Sequence, residues 1–263
     1  MDVNFIYQLI IFIFGLTIGS FLNCVIYRLE TGDSFLKGRS FCPFCKHKLL
    51  WLDLIPIFSF IFLKGKCRYC GKKISWQYPL VEVSLAILSL FSFIFFPDLP
   101  FSLWKLFYYW LLISFLIIIF VFDLKYFIVL DKIIYPLIIL VLLFDFHFLF
   151  LKQYATFYNL ILSALAAGLF FLIIVLISNG KWMGIGDIKI SFFMGLFLGF
   201  PNILVALFLS FLIGAIIGIG LILAKKKTLK SEVPFGPFLV IGTLIALFWG
   251  EKIVSYYLVL FNI

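Results

Sequence analysis

A glycine-punctuated run of charged residues separates two strongly apolar stretches of the chain, Leu160–Ser178 and Ile190–Leu198. The run is Gly184-Ile185-Gly186-Asp187-Ile188-Lys189. A carboxylate at the mouth of a membrane helix is costly and is by default a hypothesis of function. The glycines allow close backbone approach or unusual backbone conformations. The alternative interpretation is a cytoplasmic loop with one solvated aspartate.

Asp123 is a second carboxylate with a matching placement. It follows the apolar run 103–122, and the alternation of apolar runs puts it on the same side of the membrane as Asp187, at a similar depth. Two carboxylates within hydrogen-bonding distance hold one proton between them near neutral pH. The ionised member can take a proton from water while its partner donates one to a peptide carbonyl, as in aspartic proteases. The residues alone therefore predict an intramembrane aspartyl enzyme.

Other catalytic chemistries lack the residues that they need. Neither of the two histidines lies near a suitable serine or cysteine for a triad, and no His-Glu-x-x-His, Walker or Rossmann sequence is present. Two rival functions stay open on the residues alone. One is a transporter or channel whose carboxylates relay ions or protons, and the other is a non-catalytic assembly scaffold of a secretion machine, each with a structural zinc site.

Four of the five cysteines form two Cys-x-x-Cys pairs, Cys42 with Cys45 and Cys67 with Cys70. Pairs at this separation predict one tetrahedral zinc ion bound by four thiolates. Because four protein ligands leave no open position, the metal would be structural. The alternative is a pair of disulfides or free thiols, and a cytoplasmic location disfavours disulfides.

The segment between the two pairs, Leu49–Leu63, is apolar and aromatic but too short for a span, and it contains Asp53 and Pro56. A span there would also place the two cysteine pairs on opposite sides of the membrane. We expect the segment to lie along or dip into the membrane interface, or to pack on the helix bundle.

The chain as a whole has the composition of a membrane protein: of its 263 residues, 65% are hydrophobic and 13% are charged. We predict an all-α polytopic membrane protein with about eight transmembrane helices and a small cytoplasmic zinc-binding loop domain. The predicted spans are residues 5–27, 78–96, 103–122, 133–149, 157–178, 190–200, 203–224 and 239–249.

The distribution of basic residues orients these spans. All of the 21 Lys and Arg residues except Lys105, Lys152 and Lys252 fall on one side, which the positive-inside rule assigns to the cytoplasm, leaving both termini outside. The net charge of +9 therefore reflects topology and anionic lipid headgroups, and nucleic acid is not an expected partner.

Small and polar residues inside the predicted spans indicate helix packing. Gly15-x-x-x-Gly19 and Gly214-x-x-x-Gly218, with Gly220, permit close approach between helices in lipid. We expect Asn23 to hydrogen-bond inside the bundle. Glu82 lies about one turn inside the second span, so it must pair or be neutral.

Taken in order, these residues resemble the bacterial type IV prepilin peptidase family (prepilin leader peptidase/N-methyltransferase), a family of Gly-x-Gly-Asp intramembrane aspartyl proteases. The resemblance covers nearly the whole chain. It lies in seven matching stretches: residues 19–23, the two cysteine pairs, and residues 75–82, 123–131, 184–189 and 234–238.

The resemblance implies catalytic roles for Asp123 and Asp187. The family's first aspartate opens a motif of the form Asp-x6-Pro-Asp, whose closing position is Asp131 here, while Leu130 stands where proline is usual. Asp131 is kept as an orienting residue. We also expect Gly184 and Gly186 to leave room beside Asp187 for substrate, Lys189 to tune the charge or reach the headgroups, and Glu82 to help recognise the substrate.

The implied activity is cleavage of the leader peptide of type IV prepilins or type II secretion pseudopilins at the cytoplasmic membrane face. Methylation of the new N-terminus by S-adenosylmethionine is its implied second step, and prepilin precursors and membrane lipids are the implied partners. The location would be the bacterial cytoplasmic (inner) membrane, with the active site facing the cytoplasm. Three parts are expected: a first transmembrane helix (1–27), a basic cytoplasmic loop with the zinc ligands (28–78) and a transmembrane aspartyl peptidase domain (79–263).

Overall fold

The computed structural model describes residues 3–34, 38–96, 103–226 and 232–260. Within these ranges the chain is all-helical apart from two isolated antiparallel bridges, which confirms the predicted fold class. A 3₁₀ turn at Trp51–Leu54 precedes the second helix. The α-helices of the described ranges are α1 Val3–Thr31, α2 Phe58–Phe62, α3 Gln77–Phe95, α4 Leu103–Tyr126, α5 Asp131–Phe150, α6 Tyr154–Ser178, α7 Ile185–Leu198, α8 Asn202–Leu223 and α9 Gly236–Leu260.

Seven of the described helices are long and apolar enough to cross a membrane, so the protein is multi-pass. They are α1, α3, α4, α5, α6, α8 and α9. In hydrocarbon every backbone amide and carbonyl must be satisfied within the chain, and a helix does this along each apolar run.

The helix at the sixth predicted span, α7, begins five residues before the predicted range 190–200 and is short, with 14 residues. It nevertheless runs antiparallel to α6 and packs closely on it. Ser191 donates a hydrogen bond to the Ala167 carbonyl (3.4 Å), and Asn159 near the start of α6 exchanges two hydrogen bonds of 2.9 Å with the backbone of Phe200, just beyond the end of α7. The helix is therefore short at its N-terminal end, where Asp187 lies.

The eighth predicted span, 239–249, is too short. The last helix, α9, has 25 residues and extends to Leu260, so it includes the apolar segment that follows Lys252. Glu251 and Lys252 are exposed on this helix, so the two adjacent charged residues do not end it.

The described residues cluster into two compact units, 1–118 and 119–263. In the first unit α1 packs directly on α3. A Cβ atom on Gly15 would lie 2.7 Å from the Ala86 Cα, and one on Gly19 would lie 2.6 Å from the Glu82 Cα, so the predicted close approach at these glycines is confirmed. The predicted hydrogen bond of Asn23 is also confirmed, since its Nδ2 donates to the Tyr78 carbonyl at 3.0 Å.

In the second unit the predicted glycine face of α8 is only partly correct. Gly214 packs against the Phe238 ring, where a Cβ atom would lie 3.0 Å from Cδ2. At Gly218 and Gly220 a Cβ atom would meet nothing within 4 Å in the described part of the chain. Among the described residues, these two glycines therefore pack against no other helix.

A cluster of aromatic rings fixes the start of α9. The Phe235 ring lies 5.0 Å from Phe211 of α8 and 6.1 Å from Phe171 of α6, measured between centroids. Aromatic pairs at such distances add to the free energy of apolar burial. The cluster holds Gly236, the next residue, against the C-terminal end of α4.

Candidate functional site

The first cysteine pair is a tight backbone turn. The Cys42 amide donates to the His47 carbonyl (3.0 Å), and the Lys46 amide donates to the Cys42 carbonyl (2.9 Å). An antiparallel bridge between Phe41 and Lys48 closes the turn. These bonds point the sulfurs of Cys42 and Cys45 to one side.

The second pair repeats this geometry. The Cys67 amide donates to the Lys72 carbonyl (2.8 Å), the Gly71 amide donates to the Cys67 carbonyl (2.9 Å), and a bridge joins Lys66 to Lys73. Gly71 has a positive φ of 68°, and the residue at the equivalent place in the first turn, Lys46, has a φ of 57°. The two turns, here called knuckles, thus have the same backbone structure. In the sequence this local repeat is visible only as the two cysteine pairs.

The four sulfurs converge on one point. They all lie within 4.8 Å of one another, and the Cys42 and Cys70 sulfurs are 3.9 Å apart. A tetrahedral Zn²⁺ with bonds of about 2.3 Å requires sulfurs about 3.8 Å apart. Four cysteines so placed fit a structural metal site with no open position.

The protonation of the thiols also fits a cation at this point. Partial burial opposes ionisation of Cys42, but backbone hydrogen bonds from Cys45 and Phe44 lower the pKa of its thiol to about 7. At Cys70 a backbone hydrogen bond from Lys72 lowers the pKa, but desolvation and the other three sulfurs outweigh it and raise the pKa to about 11. Without a cation Cys70 therefore stays protonated at neutral pH, and a bound metal cation would be needed for all four sulfurs to be thiolates.

Asp187 lies in the first turn of α7 and is buried, with 7% of its surface exposed. Its Oδ2 accepts a hydrogen bond from the Gly184 amide (3.0 Å), and its own amide donates to the Gly184 carbonyl (3.1 Å). Because Ser191, one turn later, is level with Ala167, Asp187 lies roughly 10 Å below the C-terminal end of α6 at 1.5 Å per residue. The short α7 therefore recesses this carboxylate into the helix bundle.

Asp123 lies in the last turn of α4 and is also buried, with 6% exposed. The backbone amide of Gly236 lies beside its carboxyl group and interacts with it. Its Oδ2 is buried and has no hydrogen-bond partner among the described residues. Such an oxygen normally binds water, substrate or another polar group, because a lone buried acceptor is costly.

The structure brings these two carboxyl groups together. The charge of Asp123 acts directly on Asp187. A Cβ atom on Gly236 would overlap the Asp123 carboxylate and would lie 3.3 Å from Cδ1 of Ile190, one residue after Lys189 on α7. The end of α4, the first turns of α7 and the start of α9 therefore meet at one buried point, which holds both carboxyl groups.

Gly186 differs from its expected role. Neither Gly184 nor Gly186 adopts a positive φ, and a Cβ atom on Gly186 would lie 2.5 Å from Cγ2 of Val129. The space beside Gly186 is filled by the protein's own chain, so it is not free for substrate as we had expected. Gly186 instead lets α7 approach the 127–130 connection that follows Asp123.

Lys189 and Asp131 form an ion pair across the same contact. The Lys189 Nζ also lies 5.1 Å from the centroid of the Tyr135 ring on α5. Leu130, which replaces the family's proline, has φ −71°, a value that proline also adopts. The departure from the motif therefore leaves the turn between the two aspartates intact.

Glu82 is placed in the first unit. Its Oε2 accepts a hydrogen bond from the Ile57 amide (2.8 Å), and its side chain also interacts with Ser20. The Glu82 carboxylate is therefore hydrogen-bonded within the protein. This bond ties α3 to the loop between the knuckles. Its expected role in substrate recognition stays untested.

Comparison with known proteins finds matches in two separate parts of the chain. Residues 110–219 match the type IV leader peptidase family, and residues 13–96 match the bacterial peptidase A24 N-terminal domain. Proteins named prepilin leader peptidase/N-methyltransferase are similar over nearly their full length. The chain belongs to this family.

Three relatives show the extent of the similarity. The Bacillus subtilis protein is 36% identical over 95% of this chain and 97% of its own length. The Aeromonas salmonicida protein is 33% identical over 96% and 94%, and the Legionella pneumophila protein is 31% identical over 95% and 94%. No solved structure matches the chain.

The match to the type IV leader peptidase family includes both Asp123 and Asp187, and the match to the N-terminal domain includes all four cysteines of the knuckles. Two residues at the aspartate site were not assigned a role from the sequence, Gly236 and Val129. Gly236 had one available signal, a glycine between two prolines and two phenylalanines at the start of an apolar run. Val129 had none, because only the fold brings it against Gly186.

Proposed function

We propose that this protein is a membrane-embedded aspartic endopeptidase that removes the leader peptide of type IV prepilins or type II secretion pseudopilins. The observation that carries the proposal is the meeting of two buried carboxyl groups, Asp123 and Asp187, from two different helices. Membership of the prepilin leader peptidase/N-methyltransferase family supports the substrate class and disfavours a transporter or a scaffold.

Asp123 and Asp187 would act as one unit. One carboxylate accepts a proton from water as the water oxygen attacks the peptide carbonyl carbon. The other carboxyl group donates its proton to the carbonyl oxygen. When the tetrahedral intermediate collapses, the peptide C–N bond breaks, and the leaving amine takes the proton that the first carboxylate took from water. The second carboxylate recovers its proton from a hydroxyl group of the intermediate as the new carboxyl group forms. The amides of Gly184 and Gly236 hold the two carboxylates in place by contacts that do not depend on substrate.

The recessed position of Asp187 suits the expected cleavage point, just before the apolar helix of the precursor. A peptide that enters from the cytoplasmic side would place its basic leader outside the bundle and its apolar segment in lipid. We assign the site to the cytoplasmic face of the bacterial inner membrane, because nearly all basic residues fall on that side of the spans. Lipids and prepilin precursors are the proposed partners.

The three expected parts of the chain receive separate tasks in this proposal. Residues 79–263 carry the peptidase, residues 28–78 bind structural zinc through the four cysteines, and residues 1–27 anchor the first unit by packing on α3. The relatives' names also support methylation of the new N-terminal amine by S-adenosylmethionine. We assign no residues to the methyl donor.

The decisive test is cleavage of a co-expressed prepilin by the Asp123→Asn and Asp187→Asn variants, followed as a mobility shift. Each substitution keeps the size of the side chain but prevents the pair from sharing a proton, so we expect no detectable removal of the leader. The matched control is Asp145→Asn, which alters another buried carboxyl group on α5. If a well-expressed Asp123 or Asp187 variant still cleaves, the carboxylate-pair mechanism is wrong.

A further inference from the structure

The segment between the knuckles presents an apolar surface that the first unit does not cover. On α2, Phe58, Ile61 and Phe62 lie on one face and are 58%, 62% and 80% exposed. Trp51, in the 3₁₀ turn, is 73% exposed. Contiguous exposed aromatic and aliphatic side chains are rare on a surface that faces water, and they mark contact with a membrane or a partner.

Two contacts fix the depth of this surface. The Ile57 amide, just before α2, donates a hydrogen bond to Glu82 (2.8 Å), and the Phe60 ring lies 5.0 Å from the Trp76 ring at the start of α3. Glu82 is five residues beyond Gln77, so it lies about 7 Å along the helix axis from the beginning of α3.

The length of α3 then places α2 at the membrane boundary. Its 19 residues are about 28 Å long, and the hydrocarbon core of a bilayer is about 30 Å thick. The whole of α3 is therefore needed to cross, and its first residue must lie at the interface. Glu82, and with it α2, lies below the headgroup level, within the depth of about 5–10 Å that interfacial helices occupy.

Charge identifies the kind of surface that covers this patch. Residues 38–78 contain eight Lys and Arg residues and a single acidic residue, Asp53. Asp53 is paired with Arg68 (2.8 Å) and accepts a hydrogen bond from the Tyr69 hydroxyl (3.2 Å). Lys64 and Lys66, just after α2, are exposed. Cations that flank an apolar, aromatic face match the phosphate groups above an acyl boundary.

We propose that residues 50–62 form an interfacial segment that inserts into the headgroup–acyl boundary of an anionic bilayer and seats the zinc knuckles on the membrane surface. Its occupant is lipid. The basic residues of the loop then have lipid phosphates as counter-ions. Of the two placements expected from the sequence, the proposal favours the membrane interface over packing on the helix bundle.

The first test uses the unaltered protein in nanodiscs that hold one copy in phosphatidylcholine and phosphatidylglycerol. A lipid with a photoreactive diazirine near the acyl carbonyl is activated, and labelled peptides are mapped by mass spectrometry. We expect the peptide that contains Trp51 and Phe62 to be labelled as strongly as peptides from the start of α3. Labelling of α3 without labelling of residues 50–62 would overturn the proposal.

The second test compares two exposed aromatic positions. Phe62 is on the proposed segment, and Phe44, 57% exposed, is on the first knuckle. With the six native tryptophans replaced by phenylalanine, single Phe62→Trp and Phe44→Trp variants are reconstituted with lipids brominated along the acyl chain. We expect bromolipids to quench Phe62→Trp several-fold more than Phe44→Trp, and aqueous acrylamide to show the reverse order.

Two results would contradict the inference. If acrylamide quenches both tryptophans equally and bromolipid quenches neither, the patch is exposed to water. If neither reagent reaches position 62, a protein and not lipid covers the patch. Should the tryptophan-free background lose prepilin cleavage, the photolabelling of the unaltered protein decides between these outcomes.

Discussion

The knuckles and the aspartate site each bring a few functional side chains together, but the sequence specifies the two sites in opposite ways. Each knuckle takes its two ligands from one turn, and the same backbone hydrogen bonds occur in both turns. The aspartate site takes its groups from the end of α4, the start of α7 and the start of α9. The first is a local structure that a metal ion would complete, and the second depends on how distant helices pack.

This difference predicts how each region fails. Loss of one ligand should unfold the knuckles as a unit, because the metal supplies the folding free energy of such small sites. A small change at the aspartate site should leave the fold intact and alter only the position of one carboxylate. The substitutions below test this contrast, from the largest expected effect to the smallest.

Cys67→Ser should have the largest effect. It removes one of four sulfurs, so bound zinc should fall from about one ion per chain to near zero, with a loss above about 4 kcal/mol in the stability of the knuckles. Zinc is measured in freshly purified, reduced protein, and stability by limited proteolysis of residues 38–76.

Cys24→Ser is the matched control, because Cys24 lies on α1 outside the cluster. It should retain zinc fully. The cleavage rate per folded molecule of Cys67→Ser should fall less than its abundance. If Cys67→Ser keeps a full zinc ion, the four-thiolate site is wrong.

Gly236→Ala should have the next largest effect, and it acts on catalysis. The added methyl group would overlap the Asp123 carboxylate. Displacing a catalytic group by about 1 Å can cost about 100-fold in rate, or about 2.7 kcal/mol. The initial rate of prepilin cleavage at matched protein abundance measures it. Gly218→Ala on α8 is the control, since its methyl group would meet nothing within 4 Å in the described structure, and it should cleave normally.

These first two predictions show what a single sequence can and cannot specify. The zinc ligands were predictable because their spacing encodes the turn that holds them. The apolar runs predicted the helices, but α7 begins at Ile185, five residues before the predicted span. Its start was misplaced because Asp187 and Lys189, in its first turns, interrupt the apolar run. Gly186 was assigned to substrate because nothing in the sequence reveals Val129 against it. Contacts between segments that are distant in the chain require the packed structure.

Gly186→Ala should have a moderate and reversible effect. Its Cβ atom would lie 2.5 Å from Cγ2 and 2.8 Å from Cβ of Val129, so the 127–130 connection must move. We expect about a tenfold loss of cleavage rate, or about 1.4 kcal/mol. The double variant Gly186→Ala/Val129→Gly removes both clashing atoms and should recover most of the rate. Failure of this rescue, with normal expression, would show that Gly186 acts on substrate after all.

The smallest predicted effects are on zinc affinity, and they come from exchanging glycine and non-glycine residues at equivalent positions of the two knuckles. Lys46 and Gly71 occupy equivalent positions with positive φ, a conformation that costs a residue with a side chain about 1–2 kcal/mol. Lys46→Gly relieves this cost but loses the contact of Nζ with the Phe41 ring, at 5.0 Å, and adds freedom to the unfolded chain. We expect zinc to bind up to about fivefold more tightly, or about 1 kcal/mol, in competition with a chromogenic chelator.

Gly71→Ala is the reciprocal change, and it should weaken zinc binding by a similar factor. A methyl group there meets nothing within 4 Å in the described structure, so only the backbone conformation can account for the loss. Opposite effects at the two positions would establish that the knuckles are one turn used twice. If Gly71→Ala binds zinc as tightly as the unaltered protein, the two turns are not equivalent. Metal binding would then not depend on the local backbone geometry of each knuckle, and the contrast with the aspartate site would fail.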